Sequence, residues 1–155
     1  MSNRGFANAA LYAASILIDA WETAQSEASH GDAPLARAFR PAILLHLRRA
    51  YGWCMLAVAG LDDEPDPTML PTSVAAVAAP PAGRGVVPEL REFELLERGG
   101  WVGDMLAADA APLTQRANTN VLGSDSSGAG PGQLRGWCDR LAATMQRMDD
   151  LLDEC

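Results

Sequence analysis

From Ala50 to Leu61 the chain runs for twelve residues without a charged side chain, Ala-Tyr-Gly-Trp-Cys-Met-Leu-Ala-Val-Ala-Gly-Leu. A helix of this composition has no face suited to water, so it must be central in a bundle or covered by a second subunit. Twelve residues are too few to cross a bilayer of about 30 Å. Immediately before this stretch Arg37, Arg40, His46, Arg48 and Arg49 stand among apolar residues. Pro34 is a favoured first-turn residue, and a helix from there to about Gly60 joins the two halves. Pro41 lies inside it and predicts a kink near Arg37 to Pro41, or a break that makes Pro41 a new start.

The remaining helices are read from periodicity. Phe6 to Ser29 places Arg4, Asn8, Ser15, Asp19, Glu22 and Ser26 on one side and Phe6, Ala10, Ala13, Leu17, Trp21 and Ala24 on the other. Gly31 is placed to end that helix and Asp32 to cap the next. Asp62 to Val87 is too rich in proline for a long element, and predicts a crossover with at most one helical turn in 72–79. A third helix begins near Pro88 and stops at Gly99-Gly100, with Leu90, Phe93 and either Leu96 or Glu97 inward; a short one follows over Trp101 to Ala110, with Trp101, Met105 and Leu106 inward. Residues 111–132 are flexible by composition. From Gln133 to about Glu154, Leu134, Cys138, Leu141, Met145, Met148, Leu152 and Cys155 repeat at spacings of four and three, a packing seam flanked by Trp137 and Leu151. With no alternating strand in sight, the expected fold is all-α. It is an antiparallel four-helix bundle with one short extra helix and two long Pro/Gly-rich loops, near 62–87 and 111–132, in a single domain over 1–155.

Charge and residue usage narrow the chemistry. A net charge of -8 argues against nucleic acid as a partner. All 12 cationic side chains are arginine. Without lysine there is no phosphate-loop amine, no Schiff base and no Ser-Lys pair. Cys54, Cys138 and Cys155 are odd in number and far apart, which suggests neither a disulfide framework nor a zinc site and fits a reducing cytoplasm. The opening residues read as neither secretion signal nor membrane anchor.

Three groups of residues invite a chemical reading. Arg40 and His46 form an Arg-x5-His spacing that resembles the motif of the HEPN superfamily of small helical bundles, many of them ribonucleases. The resemblance implies that both face a scissile phosphate, His46 moving protons and Arg40 stabilising charge. The competing expectation makes Arg40 a surface cation with an apolar stem and His46 a partly buried core residue. Carboxylates cluster at Asp62, Asp63, Glu64 and Asp66, and again at Asp149, Asp150, Asp153 and Glu154. They match no EF-hand or di-iron signature and read as solvated acid faces, so neither a metal site nor a cofactor is expected. Of the arginines at 37, 40, 48 and 49, Arg37 and Arg48 lie near one face and suit an anionic partner or phosphate, unless they pair with the chain's own acids. Trp53 and Trp101 read as core anchors rather than stacking platforms.

The order of features also resembles a family of small bacterial helical-bundle proteins of unknown function. The resemblance rests on Asn8 to Ala20, on Leu45-His46-Leu47-Arg48-Arg49-Ala50-Tyr51, on Trp101-Val102-Gly103-Asp104-Met105-Leu106, and on Leu134-Arg135-Gly136-Trp137 through Leu152-Asp153-Glu154-Cys155. Together these features lead to an expected cytoplasmic bundle that is not an enzyme and works through protein contacts, as a homo-oligomer covering residues 50–61 or with another protein. A HEPN-like nuclease or nucleic-acid-linked stress protein using Arg40 and His46 is the alternative, and a small-ligand or cation binder within the bundle is a third reading.

Overall fold

The computed structural model describes residues 1–28, 30–61, 66–77, 87–108 and 128–153, with the backbone alone at 149 and 151–153. Among these residues every regular element is helical: α1 (Asn3–Ser26), α2 (Asp32–Val58), α3 (Pro88–Gly99), α4 (Trp101–Ala107) and α5 (Pro131–Asp153), with a 3-10 turn at Val74–Ala76. The chain is all-α over this extent. The three long helices pack on one another, with α1 along much of α2 and α5 touching both, while α3 and α4 pair and lean on α2. The expected ends of the second and last helices are Gly60 and Glu154; α2 ends two residues before Gly60, and Glu154 and Cys155 lie outside the described set.

The helix ends follow local chemistry. Ser2 caps α1 by accepting from the Gly5 N–H at 3.1 Å. The same helix stops before Gly31, because Ala28 takes the left-handed position at φ 50° and Gly31 becomes the N-cap of α2. At the far end of α2, Gly60 at φ 64° lets the Leu61 N–H reach the Leu56 carbonyl at 3.1 Å and the Gly60 N–H reach that of Ala57, which closes the helix.

Two sequence expectations are corrected. Pro41 neither breaks α2 nor starts a new helix; α2 is continuous through it. Proline removes one N–H there, so the carbonyl four residues back, at Arg37, loses its helical partner. Arg37 is exposed, and a helix carbonyl open to solvent can be satisfied by water. The buried face of α1 is Ala7, Leu11, Ala14, Ile18 and Trp21, one residue out of step with the expected row; Phe6, Ala10, Leu17 and Ala24 only flank it. With this phase Asp19 and Glu22, while still open to solvent, reach α5, where the Arg135 guanidinium bonds both.

Residues 50–58 occupy the central position of a single chain, so they need no second subunit to cover them. Phe6 stacks on Trp53 at 4.7 Å between ring centres, and Phe93 meets Tyr51 edge-on at 5.1 Å. Part of the proline-rich crossover, residues 66–77, lies down as a strap over α2. A Cβ on Gly52 would come within 2.9 Å of the Pro71 carbonyl, so only glycine admits the strap there. Glu97 on α3 holds it down, accepting from the Tyr51 hydroxyl at 2.7 Å and from the Val74 N–H at 2.8 Å with the same oxygen. Along α5, Leu134, Cys138, Leu141, Met145 and Met148 are buried as the repeat predicts, while the Leu152 side chain lies outside the described set. Trp53 is a core anchor and Trp101 packs half-buried against the core.

The Tyr51–Glu97 pair has a signature in alkali. Burial first, and then the bond to the Glu97 carboxylate, push the Tyr51 hydroxyl well above its ordinary value. In the unfolded chain a tyrosine ionises near pH 10, so above that pH the unfolded state sheds a proton that the folded state keeps, and stability falls. The chain has no lysine to mask the effect. Urea unfolding free energy is expected to decline above about pH 10 by up to roughly 1.4 kcal/mol per pH unit from this group. Tyr51→Phe should flatten that limb while costing about 1 kcal/mol at neutral pH through the lost hydrogen bond. A limb equally steep in Tyr51→Phe would place its origin elsewhere, in buried Cys138 for example, whose thiol is raised by burial.

Candidate functional site

The cations of α2 have separate fates. Arg40 is 5% exposed, so it is not the surface cation that its charge suggested. Its Nε donates to the Ala129 carbonyl at 2.8 Å, and its guanidinium lies 6.0 Å from the Trp21 ring centre, itself stacked near Phe39. Burial lowers its pKa. Arg48 reaches the end of α4, where one terminal nitrogen donates to the carbonyls of Leu106, at 3.1 Å, and Ala108. A cation there meets the negative end of the α4 helix. Both arginines therefore serve backbone carbonyls rather than the chain's own acids, a use that no charge pattern in the sequence signals.

His46 is half-buried, and burial and then the neighbouring Arg49 hold its imidazole below the ordinary value. It stands six residues after Arg40, about 9 Å along the helix and a third of a turn around it. The structure does not bring the two together: one guanidinium is enclosed against Ala129 and Trp21, and the imidazole is partly open to solvent. Arg37 is exposed.

Of the acids, Asp66 is exposed and turned onto its own strap, accepting from the Thr68 N–H at 2.9 Å and its hydroxyl at 2.8 Å, which keeps its carboxyl below the usual range. Asp62, Asp63, Glu64, Glu154 and the side chains of Asp149 and Asp153 lie outside the described set. Asp150 is exposed and accepts from Gln146. Among the described residues no three of His, Cys, Asp and Glu converge on a common point.

A surface that sequence reasoning passed over lies on the outside of α1. Ala9, Tyr12, Ile16 and Ala20 are exposed there, Tyr12 at 70% and Ile16 at 49%, and Met1 lies over Gly5 at one end of the row. The positions advance by three or four, so they form one strip along the helix. The strip holds no charged residue. Its signal was in the sequence all along, since Gly5 to Ile18 carries no charge on any side, and only Ala7, Leu11, Ala14 and Ile18 of that stretch are buried. No protein-family model, curated protein or solved structure matches the chain. No helix is long and apolar enough to cross a membrane among the described residues.

Proposed function

We propose that the chain is a non-enzymatic cytoplasmic helical-bundle protein that acts through protein contacts, and that the outer strip of α1 is the face on which two copies meet. The uncharged exposed strip is the observation that carries this reading. A chain of net charge -8 repels its own copy over most of its surface, but not along a row without charges. A second copy is also the partner that the row complements best. Its small residues, Gly5, Ala9 and Ala20, flank Tyr12 and Ile16, so two such helices related by a two-fold axis between Ala9 and Tyr12 set large against small. The 24 residues of α1 span about 36 Å, long enough for an interface at the lower end of the standard range of roughly 1,200–2,000 Å². The antiparallel four-helix reading goes with this role, with α3 and α4 sharing the fourth position beside α1, α2 and α5. Enclosure of Arg40 away from His46 favours contact over catalysis. Two cysteines, Cys54 and Cys138, held as buried thiols, suit a reducing compartment.

Sedimentation velocity is expected to give twice the 16.4 kDa protomer mass for the parent chain and the protomer mass for Tyr12→Glu combined with Ile16→Glu. Both positions are exposed, so the helical circular dichroism of the variant should match the parent. A parent that sediments as a monomer at every concentration would sink the proposal, and so would a double variant that remains dimeric.

A further inference from the structure

Between α2 and the strap runs a cavity of about 340 Å³, a size suited to a small ligand. Leu45, Arg48 and Arg49 line it from α2, and Leu70, Pro71 and Thr72 face them from the strap. Arg48 and Thr72 also line a second cavity of about 290 Å³ that reaches Leu106, so the two spaces share a wall. In a chain with 20 acidic and 12 basic residues, this groove is lined by two arginines and no carboxylate among the described residues. Thr68, which also lines the cavity, donates its N–H and its hydroxyl to Asp66, so the acid on the strap already holds two hydrogen bonds there.

The two guanidiniums are not equivalent. Arg48 is fixed by the carbonyls of Leu106 and Ala108, with its Nε buried and unpartnered, and so supplies a rigid positive wall. Arg49, one residue on, forms no ion pair among the described residues and keeps its fork of donors. Around them Pro67, Leu70 and Pro71 make most of the lining apolar beside Thr68 and Thr72, and Leu45 at the mouth is 47% exposed. A guanidinium presents two parallel N–H groups that match a carboxylate, and a site wrapped in leucine and proline is poorly suited to a bare inorganic ion.

We propose that this groove binds a small organic carboxylate with an apolar body, Arg49 taking the carboxylate and Leu45, Leu70 and Pro71 taking the hydrocarbon. One unoccupied guanidinium fits a monoanion better than a doubly charged phosphate. The site is independent of the α1 strip and carries its own test.

Octanoate is the probe, titrated into the full chain by calorimetry, with 1-octanol, acetate and inorganic phosphate as comparisons. Saturable binding of octanoate at one site per chain is expected, with acetate and phosphate at least about tenfold weaker. Arg49→Gln should weaken octanoate about tenfold or more, as loss of a charge-assisted bond does. Leu45→Glu should weaken it similarly by setting a negative charge at the mouth. Both positions are at least partly exposed, and circular dichroism and the unfolding midpoint check that each variant folds like the parent. The proposal is overturned if octanoate does not saturate, or if it binds Arg49→Gln as tightly as the parent. It is equally overturned if octanol matches octanoate, which would leave a slot that ignores charge, or if phosphate does, which would leave a plain anion site.

Discussion

Gly103→Ala is expected to destabilise the fold by about 3 kcal/mol, the upper part of the range for forcing one extra methyl into a packed site. A Cβ at Gly103 would lie 2.3 Å from the carbonyl oxygen of Glu97, and backbone cannot swing aside as a side chain does. The chain turns from α3 into α4 at Gly99 and Gly100, so the two helices have little slack with which to move apart. Pushing Glu97 also disturbs the carboxylate that holds Tyr51 and Val74. For a chain of this length a loss of 3 kcal/mol lowers the melting temperature by roughly 6–12 °C. Gly99→Ala is the control, because a Cβ there meets nothing within 4 Å, and its melting curve should stay near the parent's. Equal melting temperatures for the two variants would show that the corner between α3 and α4 is looser than described.

The second large effect belongs to Arg40. Arg40→Ala strips the donor from the Ala129 carbonyl and empties the space between Trp21 and Gly128, where a Cβ would sit 2.5 Å from the guanidinium. A loss of about 3 kcal/mol is expected, as for other large buried side chains cut to alanine. Arg40→Met keeps the stem and most of the volume and removes a buried cation, so it should cost only about 1–2 kcal/mol for the carbonyl left unpaired. Urea unfolding measures both. If neither variant moves the midpoint, the tie from α2 to the start of α5 is not structural, and the catalytic reading of Arg40 with His46 gains ground.

The fold was legible where side-chain chemistry repeats in step with the helix. On α5 the row from Leu134 to Met148 is apolar on one side and polar on the other, so its buried face could be read directly. On α1 it could not, because alanine and other uncharged residues surround the helix and leave the phase to distant partners, here Arg135 bonding Asp19 and Glu22. Of the two outcomes expected at Pro41 the break is excluded, because a proline costs one hydrogen bond and a long helix packed along its length tolerates that loss. The site was less legible. Nothing local to Arg40 or Arg48 names Ala129 or Leu106, each dozens of residues away, as the group it serves. The strap over Gly52 likewise follows from the shape of its neighbours, which no single position encodes.

One oxygen of Glu97 holds three segments together. Its bond to Tyr51 joins residues 46 apart and its bond to Val74 residues 23 apart, so α2, the strap and α3 meet at a single acceptor. The strap is also one wall of the groove beside Arg48 and Arg49, whereas the contacts among α1, α2 and α5 do not pass through it. The shape of the groove therefore hangs on one carboxylate, and the core of the bundle does not.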